Sequence, residues 1–220
     1  MTANPKPEHP TLTASRKPES PMPRLQLPPN LKFGPFPVSQ QVFHLSRSRL
    51  SFGLVNLKPL LPGHVLICPV RCVPRLAQLS PAETADLFKT AQRVSRTLER
   101  LYSASAFNIA VQDGVDAGQS VPHVHVHVIP RRRGDYDHKG GGDQLYNAMD
   151  GEDGDVGKAF LDMQRQRGEL ARQRKDFANG PDGDSDRKPR NQEEMAKEAV
   201  WLREEMETDR VRGEEKEQDN

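Results

Sequence analysis

The sequence predicts a single domain of mixed helix and strand with long polar segments attached, and three observations support this prediction. Residues 31–130 contain 46 of the 75 hydrophobic residues, whereas the other 120 residues contain only 29. Within that central segment, short apolar runs typical of strands lie on either side of one long helical pattern. A helix with one apolar face has to bury it, so this helix is expected to cover a sheet.

The first predicted elements are two strands and a helix. Residues 50–57 and 64–70 are apolar runs separated by a proline-rich turn, which is typical of two neighbouring strands. Ser80 then provides an N-cap, Pro81 occupies the first helical position and Glu83 completes a capping box. The helix is expected to run to about residue 102, because apolar residues recur every three or four positions: Leu87, Ala91, Val94, Leu98 and Leu101.

Two further strands are predicted after the helix. The first covers residues 106–112, and a polar turn follows it at Asp113-Gly114. The second covers residues 121–130, where apolar and polar residues alternate. This alternation is typical of a strand whose two faces differ in environment.

The polar segments are expected to lie outside the folded core. Residues 1–30 contain eight prolines and predict a disordered arm, because proline removes backbone donors and fixes φ. The domain itself is predicted to span 31–149, followed by a disordered charged insert at 150–191. A helical pattern predicts a C-terminal helix over 192–208 that docks on the domain, with a charged tail over 209–220.

Charge and composition exclude several classes of protein. The net charge is +1 and the isoelectric point is near 7.8, so we expect neither a nucleic-acid partner nor a membrane partner. The N-terminus lacks the apolar centre of a secretory signal, which favours an intracellular protein. The two cysteines, Cys68 and Cys72, are expected to be reduced and packed.

The strongest chemical signal is a row of three histidines. His123, His125 and His127 alternate with valines, so a strand would place all three imidazoles on one face and the valines in the core. Neutral imidazole is a good nucleophile, and His125 has a histidine on each side. This pattern favours His125 as a nucleophile toward phosphorus.

Two other interpretations of this row stay open from the residues alone. Three polar residues could simply line the solvent-exposed side of a strand. Zinc is the second alternative, although positions i and i+4 are about 13 Å apart along a strand and zinc ligands must reach within about 2.1 Å. Only neighbouring histidines could then share an ion.

The run His123-Val124-His125-Val126-His127-Val128-Ile129 resembles the signature of the histidine triad superfamily, and the chain is most similar to its fragile histidine triad branch. Other matching blocks occur in the same order: 51–56, 58–59, 62–66, 85–88, 112–114, 117–121, 143–146 and 193–196. Together they cover about three-fifths of the chain.

The resemblance implies an α+β histidine triad fold, with a five-stranded antiparallel sheet, a covering helix and a C-terminal helix. It further implies a homodimer in which the sheet continues across the interface. The implied activity is hydrolysis of dinucleoside triphosphates, diadenosine triphosphate to AMP and ADP, through a nucleotidyl-histidine intermediate. No tightly bound cofactor and no protein metal site are expected, and whether Mg²⁺ or Mn²⁺ accompanies the substrate phosphates is open. The expected location is the cytoplasm, with the nucleus left open.

The resemblance also implies roles for particular residues. His125 is the nucleophile, and His127, His123 and Gln119 are further catalytic residues. The implied substrate-binding residues are Asn56, Gln112, Gly118, Gln119, Ser120, Val121 and His127. His64 either adjoins the site or is a structural histidine.

Alternatives within the superfamily remain at this stage. A nucleoside phosphoramidase would be expected to carry serine in place of Gln119. A phosphorylase would use phosphate instead of water as the acceptor. A signalling module that acts while nucleotide is bound would need little turnover. Whether Tyr146, which matches a family tyrosine that can be phosphorylated, is modified is also open.

Overall fold

The computed structural model describes residues 26–137, 140–150, 157–163, 165 and 190–218. Within these ranges the strands are β1 Lys32–Phe33, β2 Phe36–Pro37, β3 Val42–Leu45, β4 Ser51–Val55, β5 Val65–Pro69, β6 Ala106–Ala110 and β7 Val126–Arg131. The helices are α1 Pro81–Tyr102, α2 Gln144–Asp150, α3 over residues 157–163 and α4 Gln192–Gln218.

The main sheet has five antiparallel strands in the order β3-β4-β5-β7-β6, and β1 and β2 form a separate hairpin. All residues of β4 and β5 are buried, because the sheet is covered on both faces. Helix α1 packs on β4, β5 and β7, while α4 packs beside it and on β3. The predicted α+β class and the five-stranded antiparallel sheet are confirmed.

Helix α1 begins as its sequence predicts. The Ser80 hydroxyl accepts a hydrogen bond from the Glu83 amide at 3.2 Å, and the Glu83 carboxylate accepts one from the Ser80 amide at 2.8 Å. The apolar stripe Leu87, Ala91, Val94 and Leu98 is buried against the sheet. The helix ends where Ser103 adopts a left-handed conformation with φ of +48°.

The strand predicted over residues 121–130 is shorter than expected, since β7 begins only at Val126. Pro122 has no amide to donate to a neighbouring strand, and the His123 amide instead bonds the Val121 carbonyl in a tight turn at 2.7 Å. Val124 then pairs with the Val73 carbonyl, outside the regular sheet. His123 and His125 therefore lie on the approach to β7 and only His127 lies within it.

The prediction of a disordered insert over 150–191 is wrong for residues 157–163. These residues form α3, and its Ala159 and Phe160 are buried in the main core. The two side chains give this short helix an apolar face, whereas the neighbouring sequence is mostly charged. Arg190 is also ordered, and its amide donates to the Leu57 carbonyl at 3.0 Å. Residues 150, 165 and 191 are described as well, and the other residues of the predicted insert lie outside the described residues.

Two predicted boundaries also differ at the ends of the chain. In the predicted arm, residues 1–25 lie outside the described residues, whereas Leu27 packs on the core and the Gln26 carbonyl accepts a bond from Arg49 at 3.0 Å. Helix α4 continues past residue 208 to Gln218. Charged pairs such as Arg210 with Glu207, at 3.0 Å, stabilise these added turns.

Candidate active site

The three histidines of the row are all buried, with exposed fractions of 0 to 2%. Val124, Val126 and Val128 are buried as well, as predicted, so both sides of this segment are covered. The interpretation of the histidines as a solvent-exposed polar face is therefore wrong. The β1–β2 hairpin covers His123 and His125, and His64 covers His127. Sequence periodicity could not place this hairpin.

His123 has both ring nitrogens bonded. Its Nδ1 accepts a hydrogen bond from the Gly34 amide at 3.1 Å, so Nε2 carries the proton and donates to the Pro69 carbonyl at 2.8 Å. Burial, with a smaller effect of neighbouring His125, lowers the pKa of His123 to about 4 despite the bond to Pro69. His123 is thus a neutral group that joins the hairpin to β5.

His125 is fixed in the tautomer that a nucleophile requires. Its Nδ1 donates to the carbonyl of His123 at 2.8 Å, which leaves the lone pair on Nε2. The ring of Phe33 contacts it edge to face, with centroids 5.1 Å apart and planes at 89°. Burial lowers the pKa of His125, and the bond to the His123 carbonyl opposes that shift.

A hydrogen-bond chain sets the tautomer of His127 as well. The Leu60 amide donates to His64 Nδ1 at 3.1 Å, so His64 Nε2 carries a proton and donates to His127 Nδ1 at 3.0 Å. His127 Nε2 must then carry the proton of its neutral ring. That nitrogen is buried and has no partner among the described residues.

His64 therefore adjoins the row directly, although 63 positions separate it from His127. Burial, followed by the charges of His125 and His64, lowers the pKa of His127 well below its ordinary value. The Asn56 amide nitrogen lies 3.2 Å from His64 Nε2, and its Oδ1 accepts a bond from the Lys58 amide at 3.0 Å. The structure thus places Asn56 behind His64.

The loop before the histidines holds Gly118 in a left-handed conformation with φ of +83°. The Gln119 side chain, predicted to face phosphate, instead donates to the Pro74 carbonyl at 2.9 Å and accepts from the Gly114 amide at 3.1 Å. The Ser120 hydroxyl accepts a bond from the Gly157 amide at 3.2 Å. Gln119 thus connects the loop to Pro74 and Gly114, and Ser120 connects it to the start of α3.

The backbone of the same loop is only partly engaged. The amides of Gly118 and Gln119 donate to the carbonyls of Val115 at 2.9 Å and Gly114 at 3.1 Å. No backbone partner is recorded within the described ranges for the amides of Ser120 and Val121. Within the described part of the chain, these two amides are thus left without a backbone acceptor.

Gln112 is buried just beyond the end of β6 that pairs with His127, and its amide donates to the Met149 carbonyl at 3.4 Å. It therefore connects the end of this strand to α2.

Three residues beside the site were not predicted from the sequence: Phe33, Phe160 and Arg190. The Arg190 guanidinium donates twice to the Asn56 carbonyl, at 2.7 and 3.2 Å, and pairs with Glu198. The apolar group Ala159-Phe160-Leu161 inside a charged segment is a signal that could have indicated α3. No local pattern marks Arg190.

The part of the chain that the structure describes has neither a metal cluster nor a helix suited to a membrane. It contains no group of three or more His, Cys, Asp or Glu side chains arranged to hold a metal ion. None of its helices has the length and apolar character needed to span a membrane.

The comparisons with known proteins agree with this geometry. A family model described as the HIT domain matches residues 39–134. The chain is 46% identical over 177 residues to the asymmetrical bis(5'-nucleosyl)-tetraphosphatase of Schizosaccharomyces pombe, which covers 80% of this chain and 94% of that protein. The chain belongs to the HIT domain family. The resemblance to histidine triad proteins is thereby confirmed.

Two further relatives of this HIT protein have informative names. The bis(5'-adenosyl)-triphosphatase of Dictyostelium discoideum is 42% identical, over 63% of this chain and 89% of that protein. The crystal structure of the Caenorhabditis elegans NitFhit protein has a TM-score of 0.53 and 36% identity. The match covers 80% of this HIT protein but only 30% of NitFhit, which is a fusion of a nitrilase and a fragile histidine triad protein.

Proposed function

We propose that this HIT protein hydrolyses dinucleoside triphosphates, splitting diadenosine triphosphate into AMP and ADP through a nucleotidyl-histidine intermediate on His125. The single observation that carries the proposal is the pair of ring nitrogens at the centre of the site. His125 Nε2 holds a lone pair, and His127 Nε2 holds a buried proton without a partner among the described residues. A nucleophile beside a hydrogen-bond donor suits attack on a phosphoryl group.

The proposed reaction has two steps. His125 Nε2 attacks the α-phosphorus, the bond from that phosphorus to the bridging oxygen breaks, and ADP leaves. The positive charge that develops on the imidazole is stabilised by the His123 carbonyl, which accepts from Nδ1 at 2.8 Å. Water then attacks the same phosphorus, the phosphorus–nitrogen bond breaks, and AMP is released with a free His125.

The donors around the phosphate determine the rate in such a reaction, because the protein mainly positions and stabilises charge. His127 Nε2 and the amides of Ser120 and Val121 supply them in this proposal. Gln119 acts by fixing the loop between Pro74 and Gly114, and its amide would have to exchange these partners to reach phosphate directly.

The relatives support a hydrolase acting on phosphoric anhydrides, since the Dictyostelium discoideum protein is named a bis(5'-adenosyl)-triphosphatase. The name of the Schizosaccharomyces pombe relative favours a second candidate substrate, a dinucleoside tetraphosphate. The length of the phosphate chain is therefore the point that an assay has to decide.

The test is to incubate the protein with diadenosine triphosphate or tetraphosphate in ¹⁸O-labelled water, with Mg²⁺, Mn²⁺ or a chelator. We expect equal AMP and ADP from the triphosphate, with ¹⁸O in the AMP alone. His125→Asn should abolish turnover, whereas His44→Asn, which changes a histidine on β3 outside the site, should leave it unchanged.

Other products would identify other activities. Two molecules of ADP formed only with added phosphate would indicate a phosphorylase. Faster cleavage of the tetraphosphate would favour the second candidate substrate. Turnover by His125→Asn at near wild-type rate would overturn the covalent mechanism.

The homodimer is also part of the proposal. Strand β6 is an edge of the main sheet, and its Ile109 is 49% exposed. Unpaired edges of this kind readily add a strand from another chain. Two copies joined at β6 would form a ten-stranded sheet, and sedimentation at the mass of a monomer at micromolar concentration would contradict this.

A further inference from the structure

Helix α3, over residues 157–163, contacts both sides of the proposed active site. Its Phe160 is buried, and the ring stacks on Phe36 with centroids 4.7 Å apart and planes at 15°. The same ring lies 6.0 Å from that of Phe33. These contacts attach α3 to the β1–β2 hairpin.

The hairpin in turn holds two of the three histidines. Phe33 contacts His125 edge to face at 5.1 Å, and the amide of Gly34 donates to His123 Nδ1 at 3.1 Å. His123 then positions His125 through its carbonyl. A shift of the hairpin would therefore move the nucleophile by two routes, through the Phe33 ring and through the His123 backbone.

The start of α3 is seated on the loop that precedes the histidines. The Gly157 amide donates to the Ser120 hydroxyl at 3.2 Å. A Cβ atom added at Gly157 would lie 2.5 Å from the Ser120 carbonyl oxygen, which is closer than real Cβ contacts allow. Only glycine lets the helix approach this loop so closely.

We propose that α3 is a positioning element of the active site and that Phe160 is its positioning residue for His125. Phe160 supports the hairpin, and Gly157 keeps the helix against the loop whose Ser120 and Val121 amides bind the phosphate in the proposed function. The inference rests on the proposed function, and it assigns a role to a segment that lies outside the residues matched by the family model. Because nucleophilic attack is sensitive to misplacement of about 1 Å, the support should affect the chemical step more than substrate binding.

The test compares two neighbours on α3. Phe160→Ala removes the buried ring, and Leu161→Ala is the matched control because Leu161 is 47% exposed. With diadenosine triphosphate, we expect Phe160→Ala to lower kcat by about ten- to a hundredfold and to change KM less than about threefold. Leu161→Ala should resemble the wild type, and Phe160→Tyr should restore most of kcat.

A second variant keeps the test decisive if Phe160→Ala does not fold. Gly157→Ala leaves the aromatic core intact and adds a residue that favours helix, so a general loss of structure is not expected. Its methyl group would nevertheless push α3 away from Ser120. A drop in the kcat of Gly157→Ala supports the proposal. The proposal is overturned if folded Gly157→Ala has the wild-type kcat and Phe160→Ala, where it folds, has the wild-type kcat as well.

A readout that needs no turnover separates this inference from the proposed function. In ¹⁵N-labelled protein, the Nδ1-protonated tautomer of His125 and the ring-current shift from Phe33 should be visible in NMR spectra. Phe160→Ala should move these His125 signals, and Leu161→Ala should not. If the wild type is inactive and Phe160→Ala still moves the His125 signals, only the proposed function is refuted. Unmoved His125 signals in a folded Phe160→Ala protein would refute the positioning role.

Discussion

At the scale of single residues, the proton on each imidazole is set by its partner. A neutral histidine has one donor and one acceptor nitrogen, so a bond at one nitrogen determines the other. The chain from the Leu60 amide through His64 to His127 thus determines that His127 offers a donor. The contact between His125 Nδ1 and a carbonyl determines that His125 offers a lone pair.

Replacing His64 tests this chain directly. His64→Ala removes the donor to His127 Nδ1, so His127 loses its fixed tautomer and kcat should fall by about ten- to a hundredfold. His64→Gln should retain more activity, because its amide group can donate from a similar position. Equal kcat values for the wild type and both variants, measured with diadenosine triphosphate, would show that the tautomer of His127 does not matter.

At the scale of elements, helices α1 and α3 are stabilised in different ways. A short sequence motif determines where α1 begins, whereas α3 depends on its packing against the rest of the protein. The first turn of α1 contains its own capping box, and Arg71 adds a pair with Glu83 at 2.7 Å. Arg71 and the Ser80 hydrogen bonds lower the pKa of Glu83 to about 2. Helix α3, in contrast, has few residues and depends on burial of Phe160 against the hairpin.

The cap of α1 should contribute to stability without affecting catalysis. Ser80→Ala removes the hydroxyl that accepts from the Glu83 amide, and we expect the free energy of unfolding to fall by about 0.5–2 kcal/mol. Ser95→Ala, within the same helix, is the matched control and should change it by less than about 0.5 kcal/mol. Urea unfolding measures both, and a cap variant as stable as the control would contradict the assignment.

At the scale of the whole molecule, burial of three histidines around one site makes the fold sensitive to acid. Each has a pKa lowered by desolvation, and that of His123 is about 4 instead of the ordinary 6.5. The unfolded chain therefore binds more protons than the native protein between these values. The stability that comes from His123 is complete above pH 6.5 and is lost as the pH falls toward 4.

We accordingly expect the free energy of unfolding to decrease from pH 6.5 to pH 4, by up to about 1.4 kcal/mol per pH unit for each histidine that titrates. Loss of the stability that comes from Glu83 belongs to a lower window, between 4.5 and about 2. Urea midpoints measured from pH 7 to pH 4 provide the test. A constant midpoint would show that the histidines are not buried in the neutral form.

Local sequence patterns predicted features that lie within short segments: four strands of the main sheet, the cap of α1 and the row of three histidines. They did not give the positions of β1, β2 and β3. These features follow from backbone periodicity and hydrogen bonds between residues a few positions apart, so a single segment is enough to reveal them. The family resemblance added the α+β sheet in the same way, through several local motifs in one order.

The surroundings of the histidines, in contrast, became known from the tertiary structure alone. Three contacts join segments that are distant in the sequence or carry no recognisable sequence pattern. His64 contacts His127, and Gln119 bonds to Pro74 and Gly114. The third is the contact of α3 with Ser120. Such contacts form because buried polar groups need partners and apolar rings need cover, and any nearby segment can supply them. For that reason the chemistry of His125 was visible in the sequence, whereas the support that orients it was not.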